Sequence, residues 1–280
     1  MGVSRRVFIK STLIGMGLSP LYVKGAENSV PVVIQLSSVR DAAESDLAWT
    51  LRQLATIGYY GVELSGTYGH SADELKQMLD DVRLVCVGSH LTIGELLGER
   101  FDAAVLFNRR IGNPNLVVAG GLKNPLAHRG GNSFTAHFFS HLAEKAKNQG
   151  LRIGLCSCSG NFVDLGDGHS AWSCFFRQTD PSVIAELDVG KCLADGGDPY
   201  AEIQNLAGRG ELIHISPSKP DGTMLGEEGD ETDWQRVFYL CENVENVKYY
   251  VVEQECNNLG LSSIEAAARC FETMKKWGKC

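Results

Sequence analysis

The chain has 280 residues, of which 44% are hydrophobic and 21% charged, an ordinary globular composition. That length suits one α/β barrel or two small domains, and it buries roughly three quarters of the unfolded surface without disulfide staples. A formal charge of −8 argues against nucleic acid or an anionic membrane as the main partner.

The N-terminus reads Ser4-Arg5-Arg6-Val7-Phe8-Ile9-Lys10, the pattern [ST]-R-R-x-F-[LI]-K of a twin-arginine export signal. The apolar stretch at 11–21 is short for a bilayer and holds Gly15, Gly17 and Pro20. It reads as the core of a signal peptide, not a stable membrane span. The expected layout is a signal peptide over 1–26, cleaved near Gly25 or Ala26, then a single barrel domain over 30–280. The expected partner is the twin-arginine machinery and the expected destination the periplasm. Nine cysteines are present without a CxxC pair, which excludes zinc-ribbon and thioredoxin readings and leaves most of them as small buried apolar residues.

Short apolar runs predict strands at 32–37, 60–64, 84–89, 116–119, 151–156, 183–188, 211–215 and 249–254. Helical patterns fall between them at 47–57, 71–82, 134–149, 199–207, 234–242 and 262–277. Ser71 with Glu74, and Ser262 with Glu265, have capping-box spacing, and Gly150 stands where a helix C-terminus places glycine. Strand–helix alternation predicts a parallel sheet, and eight units predict a closed (β/α)8 TIM barrel. No GxGxxG follows the first strand, which disfavours a dinucleotide-binding sheet.

Strand side chains alternate faces, and functional residues of such barrels gather at the C-terminal strand ends. One register collects polar residues there: Gln35 and Ser37, Glu63 and Ser65, His90 in phase with Gly88 and Cys86, Cys156 and Cys158, Glu186 and Asp188, His214 and Ser216, Glu253 and Glu255. The opposite register is aliphatic, as in Val62, Leu64, Ile153, Leu155, Ile213 and Ile215. A carboxylate inside an apolar strand is costly to bury alone. Glu63, Asp188, His214 and Glu253 would offset one another around a cation, and carboxylates with one imidazole suit Mn2+, Mg2+, Co2+ or Zn2+. The bland alternatives are a satisfied core histidine at His214 and a helix cap or an Arg40 ion pair at Glu63.

These residues resemble the sugar phosphate isomerase/epimerase family of xylose-isomerase-like barrels over nearly all of 32–276. Ile34-Gln-Leu-Ser-Ser-Val-Arg-Asp41 is similar to that family's LQLYSVRD, Ile57-Gly-Tyr-Tyr-Gly-Val-Glu63 to its IGYKGVE, and Val87-Gly-Ser-His90 to its VGSH. Glu186-Leu-Asp-Val189, Ile213-His214, Leu225-Gly-Glu-Glu-Gly229 with Asp233-Trp234, and Val252-Glu-Gln254 follow in the family's order. The resemblance implies a divalent metal at the ends of strands five to eight, which polarises a sugar carbonyl and stabilises an enediolate. Asp188, His214 and Glu253 are then the metal candidates, joined by Cys156, and Glu63, His90 and Glu253 the catalytic ones. Two departures stand out. The family's YHNHDFEF is here Leu155-Cys-Ser-Cys-Ser-Gly-Asn-Phe162, so two histidines are replaced by Cys156 and Cys158; a thiolate there would favour Zn2+. Its HLKD is here His214-Ile-Ser-Pro217. Three functions compete: a metal-dependent isomerase or epimerase of a small carbohydrate, a carbohydrate-binding barrel that has lost its metal, and a metal-dependent phosphodiesterase, which the scarce rim histidines and the negative charge disfavour.

Overall fold

The computed structural model describes residues 29–280 apart from 167, 207, 220, 246, 256 and 257, so the twin-arginine pattern lies outside the described residues. In chain order the elements are β1 Val32–Gln35, α1 Arg40–Ser45, α2 Leu47–Ile57, β2 Gly61–Leu64, α3 Ala72–Val82, β3 Val85–Leu91, α4 Glu99–Ile111, β4 Asn115–Val118, α5 Lys123–Leu126 and α6 Arg129–Lys147. There follow β5 Arg152–Cys156, α7 Ala171–Gln178, β6 Ile184–Asp188, α8 Val189–Ala194, α9 Pro199–Asn205, β7 Leu212–Ile215, α10 Trp234–Leu240, β8 Tyr249–Val252 and α11 Ser263–Lys276. The eight strands pair in parallel and in sequence order, and β8 closes on β1. This is the (β/α)8 barrel that strand–helix alternation predicts. Both capping boxes form, at Ser71–Glu74 and Ser262–Glu265. Among the described residues no helix is long and apolar enough to cross a membrane.

Two apolar layers hold the barrel. The larger lies between strands and helices and takes in Ile34, Val62, Leu64, Ile153, Leu155, Leu187, Ile213 and Ile215, the aliphatic register of the sequence. The smaller plugs the interior with Val33, Val87, Val117, Cys156, Ile184, Leu212 and Val251. Strand three corrects the expected phase. Cys86 packs in the outer layer and Val87 inside, because the β2–β3 register shifts between Val62↔Cys86 and Glu63↔Gly88. A bulge adds one residue and so reverses facing beyond it. Gly88 and His90 therefore keep their inward register although Cys86 does not share it. Gly88 is also required sterically, since a Cβ there would collide with Glu63 Oε1.

Candidate active site at the barrel mouth

The end of β6 sets the geometry. Asp188 is both its last residue and the N-cap of α8, accepting the Lys191 N–H at 2.8 Å. Its own N–H donates to Ser157 Oγ at 2.8 Å, and Ser216 Oγ donates to its Oδ1. Gly190 lets the first turn of α8 lie against the carbonyls of Ser216 and Pro217, where any Cβ would collide. This turn carries Lys191 back over the mouth. Its Nζ donates to Glu253 Oε2 at 2.8 Å and stands 3.0 Å from Asp188 Oδ2 in ion-pair contact.

Beneath it, Glu63, Glu186, Asp188 and His214 are all fully buried. His214 Nδ1 lies 2.8 Å from Glu253 Oε2 and Nε2 lies 2.9 Å from Glu63 Oε2. A carboxylate only accepts, so both ring nitrogens donate and the ring is an imidazolium. Burial works against that charge, but Glu186, Glu253 and Glu63 hold its pKa well above the usual value. In return Glu253 is held far below the ordinary carboxylate range: burial opposes this, and the His214 hydrogen bond and Lys191 charge outweigh burial.

His90 differs. Gln35 Nε2 donates to Glu63 Oε2 at 2.7 Å, which fixes the amide's orientation, and reaches His90 Nδ1 at 3.2 Å. Nδ1 is therefore an acceptor, and the proton sits on Nε2, which donates to Glu186 Oε2 at 2.7 Å. Burial opposes a second proton, but the Glu63 and Glu186 charges outweigh it and pull the ring's pKa well above the usual value; against that pull stands the Gln35 amide N–H at Nδ1. A donor facing a donor decides for the neutral ring. Burial, with Glu186 next, pushes the Cys156 thiol well above its usual pKa, so it is a protonated donor to the Ser157 carbonyl at 3.6 Å, not a thiolate.

Above these groups opens a cavity of about 680 Å³ whose walls include His90, Cys156, Cys158, Lys191, Asp195 and Glu253. That volume is in the range of small-molecule sites. Glu63, Asp188 and His214 lie below it and reach it only through neighbours. The long 217–232 connection contributes no described residue to its walls.

No protein-family model matches this chain, and no curated protein does. Among solved structures it is similar to a sugar phosphate isomerase/epimerase from Parabacteroides distasonis ATCC 8503, at 21% identity over 90% of this chain and 98% of that one, with TM-score 0.75. It is also similar to an AP endonuclease, family 2, from Brucella melitensis (17% identity, 85% and 97% coverage, TM-score 0.66). A third is a D-allulose 3-epimerase from Methylomonas sp. in complex with D-allulose (15% identity, 89% and 98% coverage, TM-score 0.70). The fold is that of the xylose-isomerase-like barrels. Epimerases and an endonuclease share it, so the chemistry has to be read from the site.

In this barrel the four expected metal ligands divide between two groups. Asp188, His214 and Glu253 bring donor atoms within 4.8 Å of one another, while Cys156 groups with His90, Glu186 and again His214. Side chains able to hold a divalent ion are thus present. In the first group, however, the ammonium of Lys191 already lies against both carboxylates, and His214 Nδ1 carries a proton. In the second, the Cys156 sulfur and the Nε2 atoms of His90 and His214 carry protons. As arranged, a cation or a protonated donor already stands against the carboxylates of each group, although Asp188 Oδ2 in the first and Glu186 Oε1 in the second accept no hydrogen bond. Sequence reasoning missed Lys191, and it placed Gln35 and Glu186 in the polar register without giving either a part. Glu186 shares the Asp188 register and was visible there, and Lys191 follows from reading Asp188 as an N-cap, which returns the residue three positions on to the same strand end.

Proposed function

We propose that this chain is a carbohydrate isomerase or epimerase working by proton transfer beside a carbonyl at the barrel mouth. One observation carries the reading: a carboxylate, Glu253, and an ammonium, Lys191, stand side by side at the edge of a cavity of small-molecule size. Likeness to a sugar phosphate isomerase/epimerase and to a D-allulose 3-epimerase supports it.

A sugar seated with its carbonyl oxygen against Lys191 presents an adjacent C–H to Glu253. Glu253 takes that proton, the C–H electrons form the enediolate double bond, and the oxygen's new negative charge is stabilised by the ammonium. Return of the proton from Glu253 to the neighbouring carbon, with the adjacent hydroxyl proton passing to the former carbonyl oxygen, gives an isomer, whereas an epimer requires a proton delivered to the opposite face by solvent or a second acid. The resting carboxylate is a weak base because Lys191 and His214 stabilise its charge. Negative charge building beside Lys191 weakens that field, so the proton affinity of Glu253 rises as the reaction proceeds. Glu63 is a positioning residue that holds His214 and Gln35, and His90 walls the cavity while hydrogen-bonded to Glu186. A divalent ion, Mn2+, Mg2+, Co2+ or Zn2+, would polarise the same oxygen, but no step here needs one.

The proposal includes export, supported by the complete Ser4–Lys10 pattern. Phosphorylated sugars are scarce outside the cytoplasm, so the substrate is a free keto-sugar or a glycoside. Replacing Arg5 and Arg6 by lysine should trap the protein in the cytoplasm; continued export of that variant would contradict it. A screen of free ketoses and aldoses for interconversion tests the activity. Turnover by wild type, reduced by about three orders of magnitude in Glu253→Gln as loss of a general base allows, is the expected result. Saturable sugar binding without interconversion would show instead a carbohydrate-binding barrel.

A further inference from the structure

We infer that Lys191 is the resident cation of this site: its ammonium stands where Asp188, His214 and Glu253 would otherwise hold a divalent ion.

Three observations converge on that position. The Nζ atom is 2.8 Å from Glu253 Oε2 and 3.0 Å from Asp188 Oδ2, so it already engages two of the three rim donors. The third, His214 Nδ1, lies 2.8 Å from the same Glu253 oxygen, so that nitrogen is already engaged by a rim carboxylate. The strand-five donor that would complete a set of four is the Cys156 thiol, which belongs with His90 and Glu186 and donates to a backbone carbonyl. An ion bound by the two carboxylates would lie within hydrogen-bonding distance of the ammonium, two like charges in one partly buried place.

The approach of Lys191 is built, not incidental. Asp188 caps α8 through the Lys191 N–H, and Gly190 permits the contact with β7's end that aims the side chain inward. Only 32% of the side chain is exposed, so the stem is packed and the head is held. An ammonium offers three diverging N–H donors and one charge, whereas a divalent ion can chelate two adjacent oxygens. The site is thereby fitted to a substrate in which one oxygen gathers negative charge. This catalytic consequence rests on the isomerase reading, but the occupancy does not.

Manganese binding to the full chain tests it, read by calorimetry and by electron paramagnetic resonance of Mn2+, with no sugar present. After chelator treatment, wild type should show no saturable uptake. Lys191→Met should gain one bound Mn2+ per chain, and Lys191→Met with Asp188→Asn should lose it again. Lys191→Gln serves as a second neutral variant if the first does not fold, with thermal unfolding as the check on both. Wild type binding one Mn2+ that Asp188→Asn abolishes would overturn the inference, as would folded Lys191 variants that gain nothing. Failure of the sugar screen would leave these outcomes unchanged, so the two readings fail separately.

Discussion

Asp188 and Glu253 show how one side chain can serve structure and chemistry together. Asp188 caps a helix and accepts from Ser216 through Oδ1, while its Oδ2 accepts no hydrogen bond and stands only in ion-pair contact with the Lys191 ammonium. Glu253 is shared between His214 and Lys191. Their charges make the fold pH-dependent in a definite direction. Glu253 is depressed below its ordinary 4.5, so its stabilisation is present above about pH 4.5 and is lost as pH falls toward the folded value. His214 is raised above its ordinary 6.5, so its stabilisation is complete below about pH 6.5 and is lost as pH rises through the folded value. Thermal unfolding should therefore show a stability loss on both sides of that window, with the acid limb shallower in Glu253→Gln. An unchanged acid limb in that variant would mean Glu253 is not coupled to folding in this way. Much of this cluster was legible in the sequence. Glu63, His90, Asp188, His214 and Glu253 share one strand register, and a carboxylate in an apolar strand signals a partner. Lys191 was not, because it sits on a helix and only the cap geometry returns it to the mouth. The protonation of Cys156 was also hidden, since it depends on the neighbouring Glu186 and on burial, neither of which the strand pattern states.

At the scale of elements, two glycines decide how strands and helices present these groups. Gly88 leaves room for the Glu63 carboxylate inside the barrel, and Gly190 leaves room for β7's end against α8. Gly190→Ala should cost about 1–3 kcal/mol, as over-packing against rigid backbone does. For a chain of this size each kcal/mol lowers Tm by about 2–4 °C, so the loss is measurable by thermal unfolding. The same variant should weaken sugar binding by displacing Lys191. Wild-type stability and binding in Gly190→Ala would contradict the assigned contact. Strand positions and both capping boxes were readable from periodicity and local chemistry. The β3 bulge was not, because its extra residue is apolar on both sides: Cys86 and Val87 suit either layer. Helix α4 escaped the predicted set because its pattern is blurred. Leu106 points to solvent while Asn108 is buried against Ser89.

For the whole molecule, alternation of eight strands with helices was enough to specify a closed parallel barrel, since few other arrangements bury both faces of a parallel sheet. The chemistry was less legible, because a barrel constrains where a site lies and not what it does. The short motifs in the sequence pointed to a metal at the mouth; the folded site supplies its own positive charge there. Lys191 and His214 set two positive charges among four carboxylates, so the site is net negative like the chain as a whole, with the Lys191 ammonium as its positive charge at the mouth. The most direct test of proton transfer at Glu253 is deuterium exchange: free ketoses and aldoses incubated with chelator-treated protein in D2O and followed by NMR. The account predicts deuterium appearing at the carbon beside the carbonyl with wild type and not with Glu253→Gln. Sugar that binds but acquires no deuterium, or acquires it equally with Glu253→Gln, would contradict it.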